Sequence, residues 1–367
     1  MKLIRKIPWI PLIIIVAIFV FGIVTGRDSA SGRIDDLEEL ASRLDTILTD
    51  GNFRGAALVV RDGEVILRAA YGMACDVQGT PNTIYSPFHI ASITKNFTGV
   101  AILLLELDGK LDTSDTLDNF FTGIDGLENV TVAHLLTMQG GFSDYTNRLL
   151  MTDAWAEETF VASVKEIEAY IIENWSGTPQ DQPLYCNSDY WLLGRIIEQV
   201  SSMSYEEFVA RRLFEPAGMA NSGFSGIDAS VMPHGFPAIY IDGQNLMNPN
   251  NWPFFFTYST GGLISTIDDL NLWLDSYFGG ELFPAYLLDD IRVGNYNYGW
   301  NFADASIWHH WGDALGFSSH IIYDTDDSTR IILLSNDRSV TPNLVREVSS
   351  ATIGVPVGGL EIPHGGR

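Results

Sequence analysis

Ser92 and Lys95 stand three residues apart in Ala91-Ser92-Ile93-Thr94-Lys95, at the head of a run that continues through Val100, Ile102, Leu103, Leu104, Leu105 and Leu107 and stops at Asp108-Gly109-Lys110. That run predicts a helix. Residues three apart lie on one helical face, so the amine can take the proton of the hydroxyl beside it. Near the helix N-terminus, free backbone N–H groups and the positive end of the dipole favour an oxyanion forming on a group attached to Ser92. The chemistry such a pair supports is acyl transfer through a serine nucleophile. Chance supplies about one Ser-x-x-Lys in a chain of this length. Here there are five lysines, and only Lys95 has a serine three residues before it.

Acyl transfer also needs a proton donor for the leaving group and a second oxyanion donor. Tyr185-Cys186-Asn187 offers a phenol that can accept or return a proton when a nearby ammonium lowers its pKa, and an amide that can hold Lys95 or a substrate carbonyl. Tyr145-Thr146-Asn147 repeats the spacing, and packing is the better reading of its tyrosine. His310-Trp311-Gly312 comes just before a strand that opens at Gly316. Gly312 would let a substrate lie close against a strand edge, and the backbone N–H of Asp313 would be the second oxyanion donor. His364-Gly365-Gly366 has the same His-x-Gly form but lies in a Gly- and Pro-rich tail, 354–367.

The elements that must position these groups follow from periodicity. Residues 34–48 carry Leu37, Leu40, Ala41, Leu44, Ile47 and Leu48 on one helical stripe. Residues 55–60 and 65–71 read as strands joined by the turn Arg61-Asp62-Gly63-Glu64, and 298–302, 316–323 and 330–334 read as strands near the other end of the chain. Between them, helical patterns cover 92–107, 131–138, 161–175, 190–200 and 205–213; a loop-like stretch, 222–260, ends in Trp252, Phe254, Phe255, Phe256 and Tyr258. Ser265-Thr266 then supplies an N-cap, with a capping-box acid after it, for a helix through Leu270, Trp273 and Leu274. The fold class is α+β: an antiparallel sheet built from about 31–88 and 260–353, flanked by terminal helices, with a helical and loop region at about 89–259 inserted.

In this order the motifs resemble the active-site serine family of class C β-lactamases, serine D-Ala-D-Ala carboxypeptidases and related esterases. Ala91-Ser92-Ile93-Thr94-Lys95, Thr131-Val132-Ala133-His134-Leu135-Leu136-Thr137, Tyr185-Cys186-Asn187 with its helix, Thr260-Gly261-Gly262-Leu263-Ile264-Ser265-Thr266 and Leu315-Gly316-Phe317-Ser318-Ser319 carry the resemblance, over about residues 35–350. It implies a β-lactamase/transpeptidase-like fold, Ser92 as acylated nucleophile, Lys95 as its proton partner and Tyr185 as the shuttle to the leaving group. Asn187 would orient substrate, and His310 would face the Ser92 pocket as a charged or hydrogen-bonding side chain. The N–H groups of Ser92 and Asp313 would form the oxyanion hole. The β-lactamases of this family usually have Lys-Thr-Gly where this chain has His310-Trp311-Gly312, which argues against efficient β-lactam hydrolysis. Trp311 also removes the threonine hydroxyl that helps bind a substrate carboxylate, so trimming of cell-wall peptides is less favoured. The implied activity is hydrolysis of an ester, an amide or a D-amino-acid peptide. The alternative is a penicillin-sensing domain of the same fold that acylates with little turnover.

Composition sets the surroundings. A net charge of -25, spread along the chain, repels nucleic acid and excludes it as a partner. Lys2, Arg5 and Lys6 precede an uncharged run, 7–24, and Arg27 and Asp28 follow it. That pattern is a signal peptide or an N-terminal membrane anchor in residues 1–30, with the remainder exported. The aromatic run 252–258 would line an apolar acyl pocket or pack in the core. Two cysteines, Cys75 and Cys186, make no disulfide framework. No cofactor or metal is expected: adjacent His309 and His310 point to opposite faces of an extended segment, and Asp324 to Ser328 lacks the glycine and terminal glutamate of a calcium loop.

Overall fold

The computed structural model describes residues 27–146, 164–224, 232–235, 240–241, 244–245, 257–314, 316–337 and 339–358. The apolar N-terminal run, the aromatic residues at 252–256 and the His364 segment lie outside them. The first stripe forms helix α1 (Arg27–Asp50). The hairpin β1 (Gly55–Arg61) and β2 (Glu64–Tyr71) follows, turning on Asp62 and Gly63 at φ 52° and 77°. A 3₁₀ turn, Ala91–Ile93, runs directly into α2 (Thr94–Leu107). The helical region then adds α3 (Val132–Leu136), α4 (Val164–Glu173) and α5 (Asn187–Ser201). Beyond it come α6 (Ile267–Gly279), α7 (Leu287–Ile291), β3 (Tyr296–Asn297) and β4 (Trp300–Phe302). The chain closes with β5 (Ile307–Ala314), β6 (Phe317–Asp324), β7 (Thr329–Ser335) and α8 (Pro342–Ile353).

The seven strands form one antiparallel sheet in the order β2-β1-β7-β6-β5-β4-β3. Distant ends of the chain therefore meet at its centre, where Gly55 pairs with Ser335 and Val60 with Arg330. Ala57, Val59, Ile322, Ile331 and Leu333 point to one face and pack on Leu44 and Leu48 of α1 and on Leu344, Val345 and Val348 of α8. Their neighbours Ala56, Leu58, Val60, Ile321, Ile332 and Leu334 point the other way, into a larger core shared with α2, α5 and α6. Because both faces are covered, β7 reads as an unbroken apolar run and not as an alternation. Each fully buried leucine in these layers contributes about 1.5–3 kcal/mol.

The α+β class, the sheet and the terminal helices stand as the sequence predicts, with two differences. The segment 307–314 is a strand throughout, whereas it reads as a lead-in to one; His, Gly and Asp hide it because they are poor strand formers and neither face alternates. Thr266 does cap α6, accepting from the Asp269 N–H. The Asp269 carboxylate, however, does not close a capping box but accepts from the Asn221 N–H at 2.7 Å and the Ser222 hydroxyl at 2.8 Å, tying the end of the helical region to α6. Both cysteines are buried free thiols.

Candidate active site

Ser92 is held by walls from three parts of the chain. Phe88 and His89 pair with Ser265 and Ile264, and the Ile90 N–H donates to the Leu263 carbonyl at 3.0 Å. The Leu263 N–H in turn donates to Thr94 Oγ1 at 3.2 Å, and Thr98 Oγ1 donates to the Ser259 carbonyl at 2.7 Å. On the remaining side stands β5. A Cβ on Gly312 would lie 2.2 Å from the Ile90 carbonyl oxygen and 2.6 Å from Ser319 Oγ, so only glycine allows this strand to approach the nucleophile turn. The glycine thus serves the approach of protein to protein, a different reason from the substrate contact that the sequence suggested. Ala91, immediately before the serine, sits in the left-handed region at φ 46°, a strained conformation for a residue with a Cβ.

Lys95 is fully buried, and its ammonium nitrogen has three partners: Ser92 Oγ at 3.1 Å, Asn187 Oδ1 at 2.8 Å and the Thr260 carbonyl at 2.8 Å. Asn187 cannot turn its amide round, because its Nδ2 donates to Asp144 Oδ2 at 3.0 Å and to Thr146 Oγ1 at 3.3 Å. Two of the three partners of the amine are therefore pure acceptors. A neutral amine has two N–H bonds, which those acceptors take, and its lone pair is left directed at Ser92. Burial lowers the Lys95 pKa to about 7, with the Asp144 charge opposing, so the neutral form is accessible near neutral pH. The amide of Asn187 faces Lys95, and its nitrogen is committed to Asp144 and Thr146.

The Tyr185 hydroxyl donates to Ser92 Oγ at 2.6 Å. The sequence suggests a phenol lowered by a nearby ammonium; instead burial of the ring, opposed by the Ser92 hydrogen bond, pushes it up, so it stands protonated as a donor. Tyr145, the competing match, is buried, with its hydroxyl 3.3 Å from Thr260 Oγ1. Cys186 gives its thiol to the Phe142 carbonyl at 3.3 Å.

His310 is fully buried on β5, with Nδ1 2.6 Å from the Trp311 carbonyl and Nε2 3.4 Å from the Tyr296 hydroxyl. Nδ1 carries the proton to that carbonyl, which leaves Nε2 to accept from the tyrosine. Burial, reinforced by the Lys95 charge, drives the imidazole pKa well below its usual value. Of the two expectations for His310, a charge or a hydrogen bond, the structure leaves only the second. Asp313 is exposed at the far end of β5, opposite Ser318. Strand β4 pairs with β5 only at Trp308 and His309, so the edge at 310–313 carries no further strand among the described residues. The partners that sequence motifs did not reveal are Asp144, Thr146 and the Thr260 carbonyl. Asp144 precedes the Tyr145 match by one residue, and Thr260 opens a quoted family segment.

A serine oxygen flanked by a buried amine and a protonated phenol, on an antiparallel sheet backed by its terminal helices, defines the serine β-lactamase and penicillin-binding-protein class of folds. The chain belongs to the Beta-lactamase family, whose sequence profile matches residues 40–348. It is 25% identical over 330 residues to penicillin-binding protein 4* of Bacillus subtilis, covering 83% of this chain and 72% of that protein. Among solved structures it resembles the penicillin-binding protein of Bacillus halodurans, with a TM-score of 0.70 at 25% identity, over 80% of this chain and 95% of that one. It also shares the fold of D-amino acid amidase from Ochrobactrum anthropi SV3, with a TM-score of 0.74 at 20% identity over 86% and 99% of the two chains.

Proposed function

We propose that this protein is an exported serine hydrolase working through an acyl-enzyme on Ser92, with esters and amides of D-amino acids favoured over peptides that end in a free carboxylate. The observation that carries the reading is the coordination of Lys95, whose two fixed acceptors leave its lone pair aimed at the nucleophile. Lys95 takes the Ser92 proton as the oxygen attacks a carbonyl, and the N–H groups of Ser92 and Asp313 receive the oxyanion. Tyr185, 2.6 Å from Ser92 Oγ, then protonates the departing alcohol or amine and takes back the proton that Lys95 holds, which restores both groups. Water completes the turnover by hydrolysing the ester on Ser92. The preference in substrate follows from His310: it is neutral and Trp311 has no hydroxyl, so β5 offers a substrate carboxylate no cation. The amidase likeness supports an amide substrate at the level of fold. Export rests on residues 1–30, with their basic flank and apolar run.

The test pairs a fluorescent penicillin with turnover of a p-nitrophenyl ester and of D-phenylalanine amide. Wild-type protein is expected to label transiently and to turn over ester and amide at least about tenfold faster than an acyl-D-Ala-D-Ala peptide, a difference of about 1.4 kcal/mol in transition-state binding. Ser92→Ala is expected to abolish both label and turnover. Retention of either activity by Ser92→Ala would overturn the assignment of the nucleophile. A label that persists without turnover would instead identify a sensor.

A further inference from the structure

We propose that a second, separate cavity binds a small organic cation: a primary amine on an apolar body with no carboxylate of its own. The cavity, about 370 Å³, lies between the C-terminal half of α2, α3, α7 and the residues around β3. This is within the size range of small-molecule sites, about 300–1,000 Å³. Leu103, Leu136 and Ile291 supply apolar wall, and Glu106, Asp290 and Tyr298 supply the polar groups. Tyr298 is only 8% exposed and lines the cavity together with the two carboxylates. Glu106 accepts both the N–H and the hydroxyl of Thr113 through Oε1, at 2.8 Å and 2.7 Å, which fixes the carboxylate and leaves Oε2 for a ligand. Asp290 is exposed at the rim.

The chemistry selects the ligand. Two carboxylates in one cavity repel an anion or an amino acid carboxylate and attract an ammonium group. Its N–H bonds match the acceptors on Glu106, Asp290 and the phenol oxygen. The apolar wall asks for a hydrocarbon body, so a bare metal ion leaves most of the cavity unfilled, and no three metal-ligating side chains converge anywhere among the described residues.

The experiment is calorimetric titration with phenethylamine, with 2-phenylethanol as the neutral counterpart. The protein is the full chain carrying Ser92→Ala, so that the amine cannot serve as an acyl acceptor. Saturable binding of the amine is expected, at least about tenfold tighter than the alcohol, with a tenfold or greater loss in either Glu106→Gln or Asp290→Asn, as for a charge-assisted hydrogen bond. Glu106→Gln keeps an oxygen for Thr113 and Asp290 is exposed, so neither change threatens the fold. Asp62→Asn, on the distant β1–β2 turn, is expected to leave affinity unchanged and so separates the cavity from general attraction to an acidic surface. Equal affinity for amine and alcohol, indifference to both cavity substitutions, equal sensitivity to Asp62→Asn, or no saturable binding would each overturn the proposal.

Discussion

Lys95 gains its reactivity from being enclosed. Its pKa near 7 comes from burial, and the reaction is expected to follow it: acylation of Ser92 rises with pH through a midpoint near 7 as the ammonium loses its proton, measured by stopped-flow labelling. Lys95→Met is expected to slow acylation by about 10²–10⁴-fold. Its thermal midpoint at pH 6 should hold or rise, since an enclosed ammonium is removed. Because an amine is a poorer leaving group than p-nitrophenolate, Tyr185→Phe is expected to impair amide turnover at least about tenfold more than ester turnover, read as kcat/KM for each. At this scale Ser92, Lys95 and Tyr185 were legible because the chemistry needs those side chains at those spacings. Asp144 and Thr260 were not: one acts through Asn187, and the other through a backbone carbonyl that every residue possesses.

Strand β5 shows what elements contribute to the site. It brings Gly312 against the Ile90 carbonyl and Ser319 beneath it, where the Ser319 hydroxyl donates to that same carbonyl at 2.9 Å. Gly312→Ala is expected to force the strand away from the nucleophile turn, costing about 1–3 kcal/mol by chemical denaturation and slowing acylation at least about tenfold. The strand itself was hidden in the sequence, since Trp308-His309-His310-Trp311-Gly312-Asp313 has neither alternation nor strand-forming residues beyond its tryptophans. By contrast β1, β2, β6 and β7 were legible from their apolar runs and turns. The capping acid of α6 illustrates the opposite error: a good local pattern predicts a local bond, and tertiary contacts with Asn221 and Ser222 take the carboxylate instead.

At the scale of the whole molecule, four imidazoles among the described residues are enclosed within the fold. His89 is lowered by burial to about 3 and His309 to about 4, and burial also holds His310 and His320 well below the ordinary value. In the unfolded chain these side chains take up protons near pH 6.5, so the native state binds fewer protons than the unfolded state below that pH. Their contribution is complete above about 6.5 and is lost as pH falls, by up to about 1.4 kcal/mol per imidazole per pH unit. Burial raises the Asp189 carboxyl, which offsets part of this in the same range. A urea midpoint that drops clearly between pH 7.5 and pH 5 is the expected result, and His320→Asn should flatten the slope. The antiparallel sheet also imposes an order in time. Ser92 leaves the ribosome long before Tyr185, Thr260 and Gly312, and β1 waits for β7, more than two hundred residues later, before its central pairing is complete. A nascent chain therefore carries its serine as an ordinary hydroxyl throughout synthesis, and reactivity arrives only when the last strand closes.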